Sequence, residues 1–527
     1  MRLALSTLLL MLAATPAPAE RPNLLVVLTD DLGFSDLGCY GSEIDTPTLD
    51  RLASNGLRFT QFYNTAKCHS SRVSLLTGRW CRQAGDESMS RAVTLPEVLR
   101  GAGYFTAMSG KWHLAKEPTD FGFDRFFGHL SGSTNYFTGD QTFRLNGERW
   151  EVPAEGFYTT TAKVDFALKF LKEARAAEKP WFLYLAFNAP HAPIQPLRKD
   201  YEKYLGRYTG GWDEIQARRV EKQSKLGLLP AGTRPAPRPA HIPPWSDLSP
   251  AIRDWEGRRM AGYAALIDRV DQELGRIVAD LEQSGELDNT LILFFSDNGA
   301  CPYDRRNIGM DLPPWKSSTK WSDSTGWAWA RNSPFRFYKQ NQFEGGTSTP
   351  AIAHWPKGIK TPPGSINPTP AHLVDVLPTL AAAAGAEIPE SWPGREPSPL
   401  AGVSLAPVLA GGKLAKRPPI HFLFDTDRAL RDGDWKIVSF RGGPWQLYQI
   451  SNDRTELNDL AAKHPEIVAR MEAEWHRATR EVLKAPAREQ KPVATTRRDL
   501  HPEWSDYSRN KDTGKAPGAG KKARPSP

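Results

Sequence analysis

Four segments of the chain place polar, chemistry-bearing residues directly after short apolar runs. Asp30 and Asp31 follow the run at 24–28, and Asp297 with Asn298 follows the run at 291–295. Lys111 and His113 come after 104–108, and Asn188 and His191 after 181–187. Asp30, Asp31, Asp297 and Asn298 are all hard oxygen donors. Three carboxylates do not converge without a compensating cation, so the set points to Ca²⁺ or Mg²⁺, with the amide favouring Ca²⁺. Singly, each pair has a plain reading: Asp30-Asp31 as a helix cap, Asp297-Asn298-Gly299 as a turn. Two such pairs, each ending an apolar run, favour the metal. Lys111, His113 and His191 beside a cation suit a substrate with a tetrahedral oxyanion. Cys68 stands where a helix begins just after it, at the end that favours anions. Its side chain reads equally as a reactive thiolate or as a small buried hydrophobe.

The elements that must position these residues read as alternating strands and helices. A continuous apolar run such as Leu24-Leu25-Val26-Val27-Leu28 is expected of a strand covered on both faces. Thr46-Pro47 and the capping box Thr94-Leu95-Pro96-Glu97 open helices, and 260–281 carries apolar residues at helical spacing. The pattern predicts an α/β domain with a large, mostly parallel sheet and helices on both faces. In such sheets, sites form at the carboxyl ends of the strands, which is where the four segments deliver their acids, amides, lysine and histidines. Residues 201–250, basic and proline-rich, are expected to form a long surface excursion. Short strands at 421–424, 435–440 and 445–450, with a turn at Asp432-Gly433 and an amphipathic helix over 465–482, form a small α+β unit. The domain reading is a catalytic domain over 20–417, this unit over 418–485 and a tail over 486–527.

The net charge of +8 invites a polyanion reading, but the tail from 486 holds ten Lys/Arg against five Asp/Glu, a surplus of +5. The excess therefore belongs to a solvated, disordered tail, and no nucleic-acid partner is expected. Residues 1–19 carry one positive charge, a short apolar stretch and a small-x-small site ending at Ala19, the parts of an export signal. The protein is expected in the periplasm or secreted, with no membrane anchor. Four cysteines, Cys39, Cys68, Cys81 and Cys301, are too few for a disulfide framework. An even count in an exported chain suggests pairing, but a chemical task for one leaves at least one other unpaired.

Cys68-x-x-x-Arg72 followed by Leu75-Leu76-Thr77-Gly78-Arg79 resembles the sulfatase signature, in which the cysteine is oxidised to Cα-formylglycine. Asp30-Asp31-Leu32-Gly33, Gly110-Lys111-Trp112-His113, Ala189-Pro190-His191, Ser296-Asp297-Asn298-Gly299 and Lys339 five residues before Glu344-Gly345-Gly346 follow in family order. From about residue 22 to 460 the chain is similar to arylsulfatase-like enzymes. The resemblance implies an alkaline-phosphatase-like fold and hydrolysis of sulfate monoesters. It implies a cation, Ca²⁺ or alternatively Mg²⁺, held by Asp30, Asp31, Asp297, Asn298 and modified Cys68. By the same resemblance the aldehyde hydrate attacks sulfur, oriented by the cation and Arg72, with Asp297 taking its proton. His191 and Lys339 bind sulfate and help the leaving alkoxide, Lys111 holds the oxyanion, and His113 deprotonates the remaining hydroxyl. Unlike serine, a geminal diol carries a second hydroxyl whose deprotonation expels sulfate.

A formylglycine-generating enzyme is then a partner during maturation, and sulfated saccharides are compatible substrates. Two positions depart from the family pattern: Ser70, where Pro or Ala is usual, and Gln340, where Gly is common. Two competing readings are a phosphate or phosphonate ester hydrolase of the alkaline phosphatase superfamily and an inactive sulfated-glycan-binding protein.

Overall fold

The computed structural model describes residues 21–304, 307–414 and 416–485. The expected export signal (1–19) and basic tail (486–527) lie outside the described residues. Eleven strands form one sheet: β1 (Asn23–Asp30), β2 (Leu57–Tyr63), β3 (Phe105–Lys111), β4 (Arg125–His129), β5 (Phe143–Leu145), β6 (Glu148–Arg149), β7 (Trp181–Pro190), β8 (Thr290–Ser296), β9 (Ser348–His354), β10 (Ser365–Asn367) and β11 (Ala371–His372). Their order is β10-β2-β9-β8-β1-β7-β3-β4-β5-β6, with β11 paired to β2. The centre, β8-β1-β7-β3-β4, is parallel, and antiparallel pairs lie outside it at β8/β9, β2/β9 and β4/β5.

The apolar run of β1 splits between two cores. Leu25 and Val27 pack with the Thr159–Ala176 and Pro250–Gln283 helices on one face. Leu24, Val26 and Leu28 pack with the Cys68–Thr77 and Val376–Ala384 helices on the other. Helices thus cover both faces, which is why the run shows no polar alternation. Register brings the carboxyl ends together: Thr29 pairs with Ser296, and Leu28 lies beside both Ala186 and Phe295. Close approach matters here. A Cβ at Gly110 would stand 1.8 Å from the Ala186 carbonyl oxygen, so only glycine lets β3 carry Lys111 against β7.

The segment 201–250 differs from the expectation of a surface excursion. It contains the Gly211–Lys225 helix, whose Trp212 and Ile215 join the core. Its Arg219 is buried, with Nη1 2.7 Å from Asp36 and Nη2 2.8 Å from Glu43. Basic residues in a proline-rich stretch read as solvated, but a cation matched by two carboxylates can be buried.

The C-terminal sheet, ordered β12 (Ile420–Phe424), β13 (Asp427–Asp432), β14 (Trp435–Ser439) and β15 (Trp445–Gln449), is antiparallel throughout. β13 was not legible in the sequence, because charged Arg428 and Arg431 interrupt its apolar side chains. Both arginines are buried. One face of this sheet packs on Met471 and Trp475 of the Pro465–Arg477 helix. The other face meets Tyr63, Trp80 and Phe343 of the large domain. The Pro465–Arg477 helix runs on into a π-helix over Ala478–Val482, so the helical span is the expected 465–482 with its end widened. Cys39, Cys68 and Cys301 are buried free thiols, so the suggested pairing is not seen for them. Among the described residues no helix is long and apolar enough to cross a membrane.

Candidate active site

The sheet's carboxyl edge gathers the oxygen donors first. Asp30 ends β1, Asp31 follows it with a positive φ of 66°, and Asp297 and Asn298 follow β8. All four are fully buried. Asn298 donates from Nδ2 to Asp31 Oδ1 at 2.6 Å, and the Asp31 amide lies 3.4 Å from Asp297 Oδ1. Asp30 Oδ1, Asp31 Oδ2 and Asn298 Oδ1 accept no hydrogen bond although no solvent reaches them. Buried acceptors are otherwise almost always satisfied. Three hard oxygens left unmet in one place fit a bound divalent cation. The donor atoms of Asp30, Asp31 and His191 also lie within 4.8 Å of one another, so an imidazole borders the same space.

Cations surround these acids. Lys111, the last residue of β3, pairs with Asp30 through Nζ. Arg72 Nη2 is 2.8 Å from Asp297 Oδ2 and 3.8 Å from Asp30 Oδ2, while its Nη1 donates to the Lys111 carbonyl at 2.8 Å. Lys339 Nζ is 2.5 Å from Asp31 Oδ1, and His191 Nε2 is 3.5 Å from Asp31 Oδ2. The Lys339 loop is held by two backbone bonds, Lys339 to Ala300 at 3.1 Å and Gln340 to Ala66 at 2.8 Å. Gln340 has φ 77°, which explains why glycine is the common residue at that position in the similar family.

Cys68 opens the Cys68–Thr77 helix, one residue earlier than expected, with extended Lys67 as its cap. Ser71 Oγ of the first turn donates to the Asp297 carbonyl at 2.5 Å and so ties the helix to the end of β8. Ser70, the departure from the signature, bonds to the Lys67 carbonyl at 3.1 Å and to Thr65 Oγ1 at 2.7 Å, so its hydroxyl closes the turn on itself. Burial alone would raise the Cys68 thiol. The Lys111 and Lys339 ammonium groups and hydrogen bonds with His113 and His69 overcome it and hold the thiol well below its usual range. Burial and neighbouring Asp30 push the Asp297 carboxyl up against the pull of Arg72. Burial, with Lys111 nearby, pushes His113 down, and its backbone sits at φ 58°.

Every residue singled out in the sequence therefore lies at one edge: Asp30, Asp31, Asp297 and Asn298 as donors, with Cys68, Arg72, Lys111, His113, His191 and Lys339 around them. Other buried groups there were not anticipated. Asp323 pairs with Arg331 at 2.9 Å, and one carboxylate oxygen lies within 4.8 Å of ligand atoms of Asp31 and Cys301. Lys163, in the second turn of the Thr159–Ala176 helix, bonds to Asn188 Oδ1 and lies 3.4 Å from His129 Nε2. His69 also touches Cys68. None of these follows an apolar strand, so the strand-end signal that exposed Asp30, Asp31, Lys111, His113, His191, Asp297 and Asn298 was missing; for His69, adjacency to Cys68 was the one available cue.

A doubly covered sheet that gathers four buried oxygen donors, a helix-end cysteine and several cations at its carboxyl edge is the arrangement of an α/β hydrolase site able to hold a divalent cation. Comparison with known proteins narrows this. Residues 22–386 match the family model described as Sulfatase. An arylsulfatase of Klebsiella aerogenes is 31% identical over 438 residues, 75% of this chain and 93% of that one. An uncharacterized sulfatase of Schizosaccharomyces pombe is 32% identical over 544 residues, 89% of this chain and 96% of that one. Among solved structures, Ps i-CgsB in complex with k-i-k-neocarrahexaose is 25% identical with a TM-score of 0.66, covering 93% of this chain and 99% of that chain. A phosphonate monoester hydrolase of Agrobacterium radiobacter, 21% identical over 90% of this chain and 100% of that chain with a TM-score of 0.56, shares the fold. The chain belongs to the sulfatase family, enzymes that hydrolyse sulfate esters.

Proposed function

We propose that this sulfatase works with Cys68 matured to formylglycine and with Ca²⁺ held by Asp30, Asp31, Asp297, Asn298 and the modified residue. The observation that carries the reading is the set of unmet buried oxygens, Asp30 Oδ1, Asp31 Oδ2 and Asn298 Oδ1, at the end of the helix that begins with Cys68. An all-oxygen donor set with an amide suits Ca²⁺ better than Mg²⁺, which keeps more of its water. Bound there, the cation supplies Lewis acidity toward a sulfate oxygen and the attacking hydroxyl. The formylglycine hydrate supplies an oxygen nucleophile where the thiol stands.

The remaining work falls to the chain's own side chains. Lys111 and Lys339 neutralise the sulfate oxygens. Arg72 orients Asp297, 2.8 Å away, to accept the nucleophile's proton. His191, partly exposed beside Asp31, donates a proton to the leaving alkoxide. His113, hydrogen-bonded to residue 68, takes the proton of the second hydroxyl as sulfate departs.

Sulfated saccharides are the substrate class this reading favours, since a structural relative was solved with k-i-k-neocarrahexaose. A formylglycine-generating enzyme acts before the protein is active, and export follows from the segment at 1–19. Mass spectrometry of the tryptic peptide 68–72 from active enzyme tests the maturation. The expected result is the aldehyde or its hydrate, and an unmodified thiol in fully active enzyme overturns the reading. Turnover of matched sulfate and phosphonate esters separates it from the phosphorus alternative.

A further inference from the structure

Lys163 is fully buried, yet its side-chain partners are an amide and an imidazole. Buried lysines are ordinarily matched by an acid. Here burial, with Arg72 and Lys111 close by, pushes the ammonium well down. Burial, Lys163 and Lys111 push His129 down in turn, and its Nδ1 lies 3.1 Å from the Ser131 carbonyl. A carbonyl only accepts, so Nδ1 carries the ring proton and Nε2 is left to accept. A neutral amine between Asn188 Oδ1 and His129 Nε2 directs one proton at each and adds no charge to an edge already rich in cations.

What the lysine joins is specific: three strands that lie side by side, β4, β3 and β7. Its carbonyl accepts from Ser109 Oγ of β3 at 2.6 Å, two residues before Lys111. The carbonyl of His129, the last residue of β4, accepts from the Trp112 amide at 3.0 Å, between Lys111 and His113. A Cβ at Gly132 would stand 2.7 Å from His113 Nε2, so the loop after His129 runs against that ring. On the β7 side, the Asn188 carbonyl accepts from the His191 amide at 3.0 Å. Tyr136 Oη lies 3.2 Å from that carbonyl and 2.9 Å from the carbonyl of His191. Tyr136 is itself fixed to the start of the lysine's helix, its carbonyl accepting from the Thr159 amide at 2.8 Å. Loss of Nζ removes the donor that Asn188 and His129 share, and with it the side-chain link between the two segments.

We infer that Lys163, acting with His129, is a positioning residue that holds the Asn188–His191 turn against the Lys111–His113 segment and so places His191 for protonation of the leaving oxygen. The inference rests on the sulfatase reading and deepens it. As the sulfuryl group passes to the hydrate, the bond from sulfur to the leaving oxygen breaks, and that oxygen keeps the electron pair and takes the proton of His191. A misplaced imidazole slows this step most where the leaving oxygen is most basic.

The test uses matured full-length enzyme and three esters in order of rising need for a proton: 4-nitrophenyl sulfate, phenyl sulfate and galactose 6-sulfate. Lys163→Met keeps the unbranched stem. It is expected to lower kcat by about twofold or less on the first ester and about tenfold or more on the other two, with KM little moved. Asn188→Ala should give the same pattern, and the double variant should be no worse than the worse single one on any ester the parent hydrolyses.

An equal loss on every ester, a loss confined to KM, or losses that multiply in the double variant overturns the inference. So does a fully active Lys163→Met. If circular dichroism shows that Lys163→Met does not fold, Asn188→Ala across the same esters carries the test. Formylglycine-bearing parent enzyme that hydrolyses none of the three removes the sulfatase reading itself.

Discussion

The catalytic edge and the junction with the C-terminal sheet are made of the same kinds of side chain, carboxylates with lysine and arginine, all shut away from water. At the junction, Lys436 Nζ lies 2.9 Å from both Glu344 Oε1 and Glu456 Oε1. Arg454 is 3.0 Å from Glu344 Oε2, and the Glu344 amide donates to Glu456 Oε2 at 2.7 Å. Every carboxylate oxygen there has a cationic or amide nitrogen within 3.0 Å, although Lys436 meets Glu456 Oε1 as an ion pair without a hydrogen bond. At the catalytic edge, Asp30 Oδ1, Asp31 Oδ2 and Asn298 Oδ1 accept no hydrogen bond. Burial and charge are common to both clusters, so neither marks function. What separates them is the convergence of three unmet oxygens from two strand ends, a donor set that a divalent cation would satisfy at once. The two clusters are also joined: Glu344 belongs to the segment that follows Lys339, and Arg336 donates to the Glu456 carbonyl at 2.9 Å. The C-terminal unit thereby anchors both sides of a loop that carries a candidate catalytic lysine, through Lys436 of β14 on one side and Glu456 beyond β15 on the other.

This contrast can be broken by substitution. The largest effect is expected at the catalytic edge. Asp297→Asn should lower kcat/KM by about 100-fold or more and reduce bound metal, read by elemental analysis, with the thermal midpoint held or raised. Full activity with full metal content breaks the assignment. Lys436→Met should do the opposite. It strands two buried carboxylates and should cost about 3–5 kcal/mol in a urea titration, whereas the metal content of the folded fraction stays normal. A variant as stable as the parent shows that the junction is not the structural cluster described.

A smaller, pH-dependent effect sharpens the same point. Burial pushes His421 at the junction down to about 3 from an ordinary 6.5, so it is neutral in the fold and gains a proton on unfolding at acid pH. Its contribution is fully present above about pH 6.5 and is lost as pH falls toward 3. His421→Gln should flatten the fall in stability between pH 7 and 5, and an unchanged slope rules His421 out as its source.

Legibility followed the strands. Residues placed just beyond an apolar run, such as Asp30 at the end of β1 or Asp297 after β8, were visible as a site because a parallel sheet sends such positions to one edge. Gly110 shows the same rule from the backbone side. Lys163 and Asp323 were invisible, since a charged residue inside a helix or loop carries no sign of being buried. Arg219 misled for the same reason: its partners Asp36 and Glu43 lie more than 170 positions away. β13 was lost because two arginines that the fold buries look exposed in a linear reading.

The order of residues alone determined the α/β class and the edge where chemistry collects, because period and position relative to strand ends are local properties; Cys68, Arg72 and Lys339 joined the candidate set only through the resemblance to the sulfatase signature. The tertiary structure decided which buried charges are matched, which oxygens stay unmet and how the C-terminal unit grips the Lys339 loop. Those depend on distances between residues far apart in the chain, and electrostatic and hydrogen-bond energies change over fractions of an ångström that no linear pattern encodes.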